Sequence, residues 1–393
     1  MSTKRIIVLL SLIVLAVSAI LAAGCGSSNG TNEPIKIGVV LSESGANQPL
    51  GSVEKNAIQL FTKQINDKGG VDGHQIEAIY KDDASDATKA QQAAADLIEQ
   101  EGVVALIGSS GTGTTLAMKQ EATKNQIPQV CLAAGANIMD GDFSWIFRTP
   151  PTATQAGQKV LAYMQDKNLT RIALLYDTNA FGTDGKAVIE GRAGDYELQV
   201  VASEGYDTNE SEAGMDTHLT NIATANPNVV LVWGTNPGPA KIATRMKARG
   251  MNIPYIGSHG IASPAFIQLA GDAANGVVFP AGPILIYQKA LDPASQEYKT
   301  IDAFATAYND EYGKQPDTFA GHGWDGMLIV TEALKRAGAT ATPSQLRDAI
   351  EQTQGLVGMD GVFNYTASDH NGLSPEDLIM VEIVNGQWEP AAQ

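Results

Sequence analysis

Two clusters of small and hydroxyl-bearing residues hold what chemistry this chain offers. Gly108-Ser109-Ser110-Gly111-Thr112-Gly113-Thr114 follows the apolar run at 103–107, and Ala133-Ala134-Gly135 closes the run at 127–132. Hydroxyls and unshielded amides at the start of a helix suit an anion; the same residue types also cap helices and turn the chain. Catalytic patterns are missing. The five histidines, His74, His218, His259, His322 and His370, are scattered, with no H-E-x-x-H and no Cys/His metal spacing. The loop at 108–113 is not a P-loop, and Ser109 and Ser110 do not sit in G-x-S-x-G. A hydrolase built on Ser110 with His259 would need a third, orienting carboxylate. Asp82-Asp83 reads as a solvated strand end rather than a catalytic pair. The expectation is a binding protein without catalytic residues, metal or cofactor.

The elements that must present these clusters alternate along the chain. Strand-like runs at 35–41, 75–80, 103–107 and 127–132 are separated by helical patterns at 51–66, 86–100 and 114–125, the signature of a helix-covered parallel sheet. In such a sheet both clusters fall on the carboxyl edge, where open α/β sheets bind ligands. After Phe147-Arg148-Thr149-Pro150-Pro151 a second alternation runs from 153 to 257. A further Gly/Pro-containing crossover at 276–283 leads to helices at 294–312, 319–337 and 343–353, then to strands at 358–365 and 378–384. The expected fold class is α/β, with two Rossmann-like lobes. Their bounds are 34–149 plus 281–357 for lobe I and 150–280 plus 358–393 for lobe II. Cys131, in a strand, is expected to serve packing.

A formal net charge of −17 over 393 residues opposes non-specific contact with nucleic acid or anionic lipid. Lys4 and Arg5 precede an apolar stretch that ends Leu21-Ala22-Ala23-Gly24-Cys25, the order of a secretory signal. Residues 1–24 are read as a signal peptide and 25–33 as a tether. The stretch resembles a bacterial lipobox with Cys25 as the lipidated residue, although Ala22 stands where such boxes usually carry Leu. With Cys25 lipidated, Cys131 has no disulfide partner within the chain.

The segments IKIGVVLSESG, VVALIGSS, IPQVCLAAG, WIFRTPP, RIALLYDTNAFGTDGK and GWDGMLIVTEAL, in this order, resemble the type I periplasmic binding proteins of the leucine/isoleucine/valine-binding family, the solute receptors of ABC importers. The resemblance implies parallel sheets in two lobes joined by three crossovers, a ligand enclosed between them, and an extracytoplasmic monomer held to the membrane by a lipid anchor and docking on ABC permease subunits. A ligand-sensing ectodomain on the same fold is the alternative.

Carried over residue by residue, the family site places Ser110 and Thr112 at the ligand carboxylate and the backbone of Ala133 and Ala134 at its carboxylate and ammonium, with Leu50 and Phe319 as side-chain contacts. The half that holds an ammonium departs from the family. Gly135 replaces Thr, Phe181 and Thr235 replace Tyr, and His259 stands in place of the acidic partner of the amino group. A buried ammonium without a partner is costly. The expected ligand is therefore a small carboxylate, aromatic or aliphatic, whose α-amino group is absent or held by Asp207 or Asp325, with a branched-chain amino acid as the family's default. Arg148 is assigned to the crossover.

Overall fold

The apolar heptapeptide IKIGVVL forms strand β1 (Ile35–Leu41), which is covered on both faces. Ile37, Val39 and Leu41 pack with Ile58 and Phe61 on one side, whereas Val40 packs with Ala90, Leu97 and Met118 on the other. Burial on both faces is why the run shows no alternation. The computed structural model describes residues 32–392; the signal segment and Cys25 lie outside them.

From β1 the chain passes through α1 (Gln48–Asp67), β2 (Ile76–Asp82), α2 (Ala87–Asp96), β3 (Ala105–Gly108), α3 (Thr112–Asn125), β4 (Gln129–Cys131) and β5 (Ile146–Arg148). The strands form a parallel sheet in the order β2-β1-β3-β4-β5. Since β3 and β4 run parallel, with Ile107 opposite Val130, the two small-residue clusters emerge on one edge.

The second lobe continues with α4 (Ala153–Asp166), β6 (Arg171–Asp177), α5 (Ala180–Arg192), β7 (Gln199–Tyr206), α6 (Glu212–Ala223), β8 (Val229–Trp233), α7 (Gly238–Ala248), β9 (Tyr255–Gly257), α8 (Pro264–Ala270) and β10 (Val278–Ala281). Thr152 starts it with a capping box, its hydroxyl accepting from Gln155 N at 3.0 Å while Gln155 Oε1 accepts from Thr152 N at 2.7 Å. The chain then returns to the first lobe through α9 (Tyr287–Ala290), α10 (Gln296–Tyr312), α11 (Thr318–Ala337), α12 (Pro343–Glu351) and a hairpin of β11 (Leu356–Val357) and β12 (Val362–Phe363). It ends in β13 (Ile379–Val384) and β14 (Gln387–Pro390), which add antiparallel to β10 and complete a sheet ordered β14-β13-β10-β9-β8-β6-β7.

Helix α11 lies against α1, and glycine makes the approach possible: a Cβ on Gly323 would stand 2.6 Å from the carbonyl oxygen of Glu54. One expected boundary moves. Phe363, Tyr365 and Leu373 belong to the core of lobe I, so that lobe runs past 357 and the last crossover falls between Leu373 and β13. The Tyr365 hydroxyl fixes this arrangement by donating to the Arg148 carbonyl at 2.7 Å. No helix among the described residues is long and apolar enough to cross a membrane.

Candidate functional site

Between the lobes lies a cavity of about 740 Å³, counted out to its mouth. The carboxyl edges of both sheets build it, so the helices that follow the strands point their N-termini at it. Asn47 and Leu50 come from the start of α1, Ala87 from α2, Gly111 to Thr114 from α3, Asn179 to Phe181 from α5, and Phe319 and His322 from the first turns of α11. Five positive dipole ends thus face one space. The lobes touch at its rim: a Cβ on Gly113 would lie 3.6 Å from that of Ala180.

Leu50, Ser110, Thr112, Ala133, Ala134, Phe181, Thr235, His259 and Phe319, separated by up to 269 positions in the chain, all line this cavity. Gly135 does not. Its role is one of room, because a Cβ there would lie 2.3 Å from Thr112 Cγ2. The floor is held from behind by Arg148, which is fully buried and lies outside the lining, in keeping with its assignment to the crossover. Its guanidinium donates to the carbonyls of Ala133 at 2.9 Å and Gly135 at 2.8 Å and to Asn371 Oδ1 at 3.1 Å. The Ala134 carbonyl accepts from Ala153 N at 2.8 Å.

Ser110 is bonded on two sides. Its hydroxyl oxygen accepts from Ser42 N at 3.1 Å and is hydrogen-bonded to Glu54 Oε2. Glu54 is wholly buried, its Oε1 has no partner, and its pKa is pushed up to about 8, first by burial and then by the charges of Asp83 and Asp317; the Ser110 hydrogen bond opposes this. Ser109 is turned away from the cavity toward Asp83. The expectation of a solvated acidic pair therefore holds for Asp82 alone: Asp83 is fully buried and also accepts from Ser42 Oγ at 2.7 Å and Ser85 N at 2.8 Å.

His259 is buried, packed edge-on against Phe181 and Trp233 at 5.3 and 5.8 Å, with neither ring nitrogen bonded. Burial, with the Arg148 charge second, lowers its pKa to about 3, so the ring is neutral at ordinary pH. His322 is a second such ring, missed by the sequence reading, and its Nε2 stands 3.4 Å from Asp360 Oδ2. Neither acid offered as a substitute ammonium partner reaches the cavity. Asp207 is exposed and caps Asn209 N at 2.7 Å, while Asp325, buried mid-helix, binds Met359 N at 2.8 Å and secures the β11–β12 turn. No Asp, Glu, Lys or Arg is among the described residues that line the cavity. Ser110 and His259 share the cavity, and the hydrogen-bond partners of the Ser110 hydroxyl are Ser42 and Glu54.

Two α/β lobes enclosing a polar-edged cavity define a two-lobed solute-binding protein. Residues 34–387 match the family model described as periplasmic binding protein, and the chain belongs to that family, in its type I form. Among its relatives, the leucine-, isoleucine-, valine-, threonine- and alanine-binding protein of Pseudomonas aeruginosa is 23% identical over 353 residues, 87% of this chain and 90% of that one. A Leu/Ile/Val-binding protein homolog of Brucella abortus is 24% identical over 81% of this chain and 82% of its own. Among solved structures, an extracellular ligand-binding receptor from Rhodopseudomonas palustris HaA2 superposes with a TM-score of 0.84 at 26% identity, over 92% of this chain and all of that one. The isoleucine complex of LivJ from Streptococcus pneumoniae gives 0.79 at 25% identity, over 91% and 98%.

Proposed function

We propose that this protein is the extracytoplasmic receptor of an ABC importer for a small aliphatic or aromatic carboxylic acid that lacks a free α-amino group. The carrying observation is the lining: it holds neutral imidazoles and hydroxyls but no carboxylate. The surroundings support an anion and disfavour a cation. Five helix N-termini and the buried Arg148 charge act in one direction. The carboxylate meets Ser110, Thr112 and the Ala133–Ala134 backbone in lobe I, and closure brings Phe181, Thr235 and His259 over the chain of the acid, with Leu50 and Phe319 on its apolar flank. Closed-state affinity then shifts the population of lobe angles toward the form a permease reads. Lipidation at Cys25 holds the monomer at the membrane.

A thermal-shift panel on the fragment that starts after Cys25 tests this reading, because a ligand that binds only the native state raises its stability. Isocaproate and hydrocinnamate should raise the midpoint, and leucine and phenylalanine should not. Stabilisation by the amino acids alone would refute it.

A further inference from the structure

The hydroxyl of Ser110 has one proton to give and two lone pairs. Ser42 N–H takes one lone pair, Glu54 Oε2 takes a second position, and since Ser110 lines the cavity, one position remains for a ligand. What that position offers depends on Glu54. An ionised carboxylate can only accept, so the Ser110 proton turns to Glu54 and the cavity meets a lone pair. A protonated Glu54 donates to Ser110, and the Ser110 proton is free to point at the ligand.

We propose that Glu54, which does not line the cavity, is a specificity-setting residue: its carboxyl proton makes Ser110 a donor, and so makes the pocket one for carboxylates. This rests on the carboxylate reading given above. The surroundings favour the proton on Glu54. Asp83, in the turn after β2, receives three donors, from Ser42, Ser85 and Ser109, which oppose the rise that burial causes in its pKa, whereas Glu54 has Ser110 alone on Oε2 and nothing on Oε1. The other charged group acting on Glu54 is Asp317, the cap of α11, also an acid. Beside Gly323 on the same helix, His322 is held neutral by burial, and Lys55 is drawn off to Glu43. Among the described residues, no cation is placed to compensate a charge on Glu54. Two acids placed so that one keeps its charge and the other its proton is a recurrent way to set hydrogen-bond polarity.

Two measurements test this on the fragment starting after Cys25. The infrared spectrum of the unliganded protein at pH about 7 should contain a protonated-carboxyl C=O band that Glu54→Gln removes; its absence overturns the proposal. The affinity for isocaproate should be level below pH about 8 and weaken about tenfold per unit above it, following the ionisation of Glu54. Glu54→Gln, whose amide can donate to Ser110, should bind within about threefold of the wild-type low-pH value with no such decline. Isocaproate affinity that stays level to pH about 10 in the wild type overturns the role of Glu54 and leaves the carboxylate reading standing. If no acid binds at any pH although the band is present, the carboxylate reading falls and the proposal with it.

Discussion

The Arg148 guanidinium lies beneath Ala133, its Nη1 donating to that residue's carbonyl at 2.9 Å, while its Nη2 reaches Gly135 at 2.8 Å. A residue of the first crossover thus sets the floor of the cavity. Because Tyr365 OH donates to the Arg148 carbonyl, the segment that leads to the last crossover is tied to the same point. Hinge and floor are one hydrogen-bonded unit.

Arg148→Met should therefore lower stability by roughly 3–5 kcal/mol, since it strips donors from two buried carbonyls. Arg148→Lys should fall between, because one ammonium cannot reproduce the planar fork that serves both oxygens. Urea denaturation of the unliganded protein measures the loss, and a Met variant within about 0.5 kcal/mol of wild type would contradict it.

Gly135 controls Thr112 without touching the cavity. Gly135→Ala would put a methyl group 2.3 Å from Thr112 Cγ2 and displace that side chain. It should weaken acid binding by about the same factor as Thr112→Val, roughly 10–100-fold for a hydrogen bond to a charged group. Calorimetry with isocaproate compares the two; a Gly135→Ala protein that binds like wild type would show that Thr112 has room to yield.

The alternation of strands and helices was legible in the chain, because parallel strands buried on both faces read as short apolar runs, as IKIGVVL and VVALIG do. Where the runs stop, the cavity begins, and this follows from parallel pairing alone. The supporting residues were not legible. Glu54 lies among the apolar positions of α1 and looks like an ordinary helix-surface acid until α11, some 270 residues on, closes over it at Gly323. Asp83 was hidden in the same way beside an exposed Asp82. The lobe to which Phe363 and Tyr365 belong is a matter of which core they meet, and local hydrophobicity carries no such address. Asn47 and Asn179 had one signal, an Asn before a helical pattern, and that signal also fits a plain cap.

His259 makes acid stability a readout of the site. Its folded pKa, about 3, lies below the unfolded value near 6.5, so the unfolded chain binds the proton more readily and stability is lost as pH falls from about 6.5 through about 3. His259→Gln removes this titration. Between pH about 7 and about 4 the variant should lose roughly 2–3 kcal/mol less than wild type, followed by urea midpoints. Parallel pH profiles for the two proteins would mean that His259 is protonated with little resistance in the fold.

The most direct measurement of the central claim is calorimetric titration of the unliganded protein, at pH about 7, with leucine and with isocaproate, which differ by the α-ammonium alone. An unpartnered ammonium in this lining costs several kcal/mol, so isocaproate should bind at least about a hundredfold more tightly. Leucine binding as tightly as isocaproate, or more so, would contradict the account and mark an amino-acid receptor whose ammonium partner lies elsewhere in the cavity.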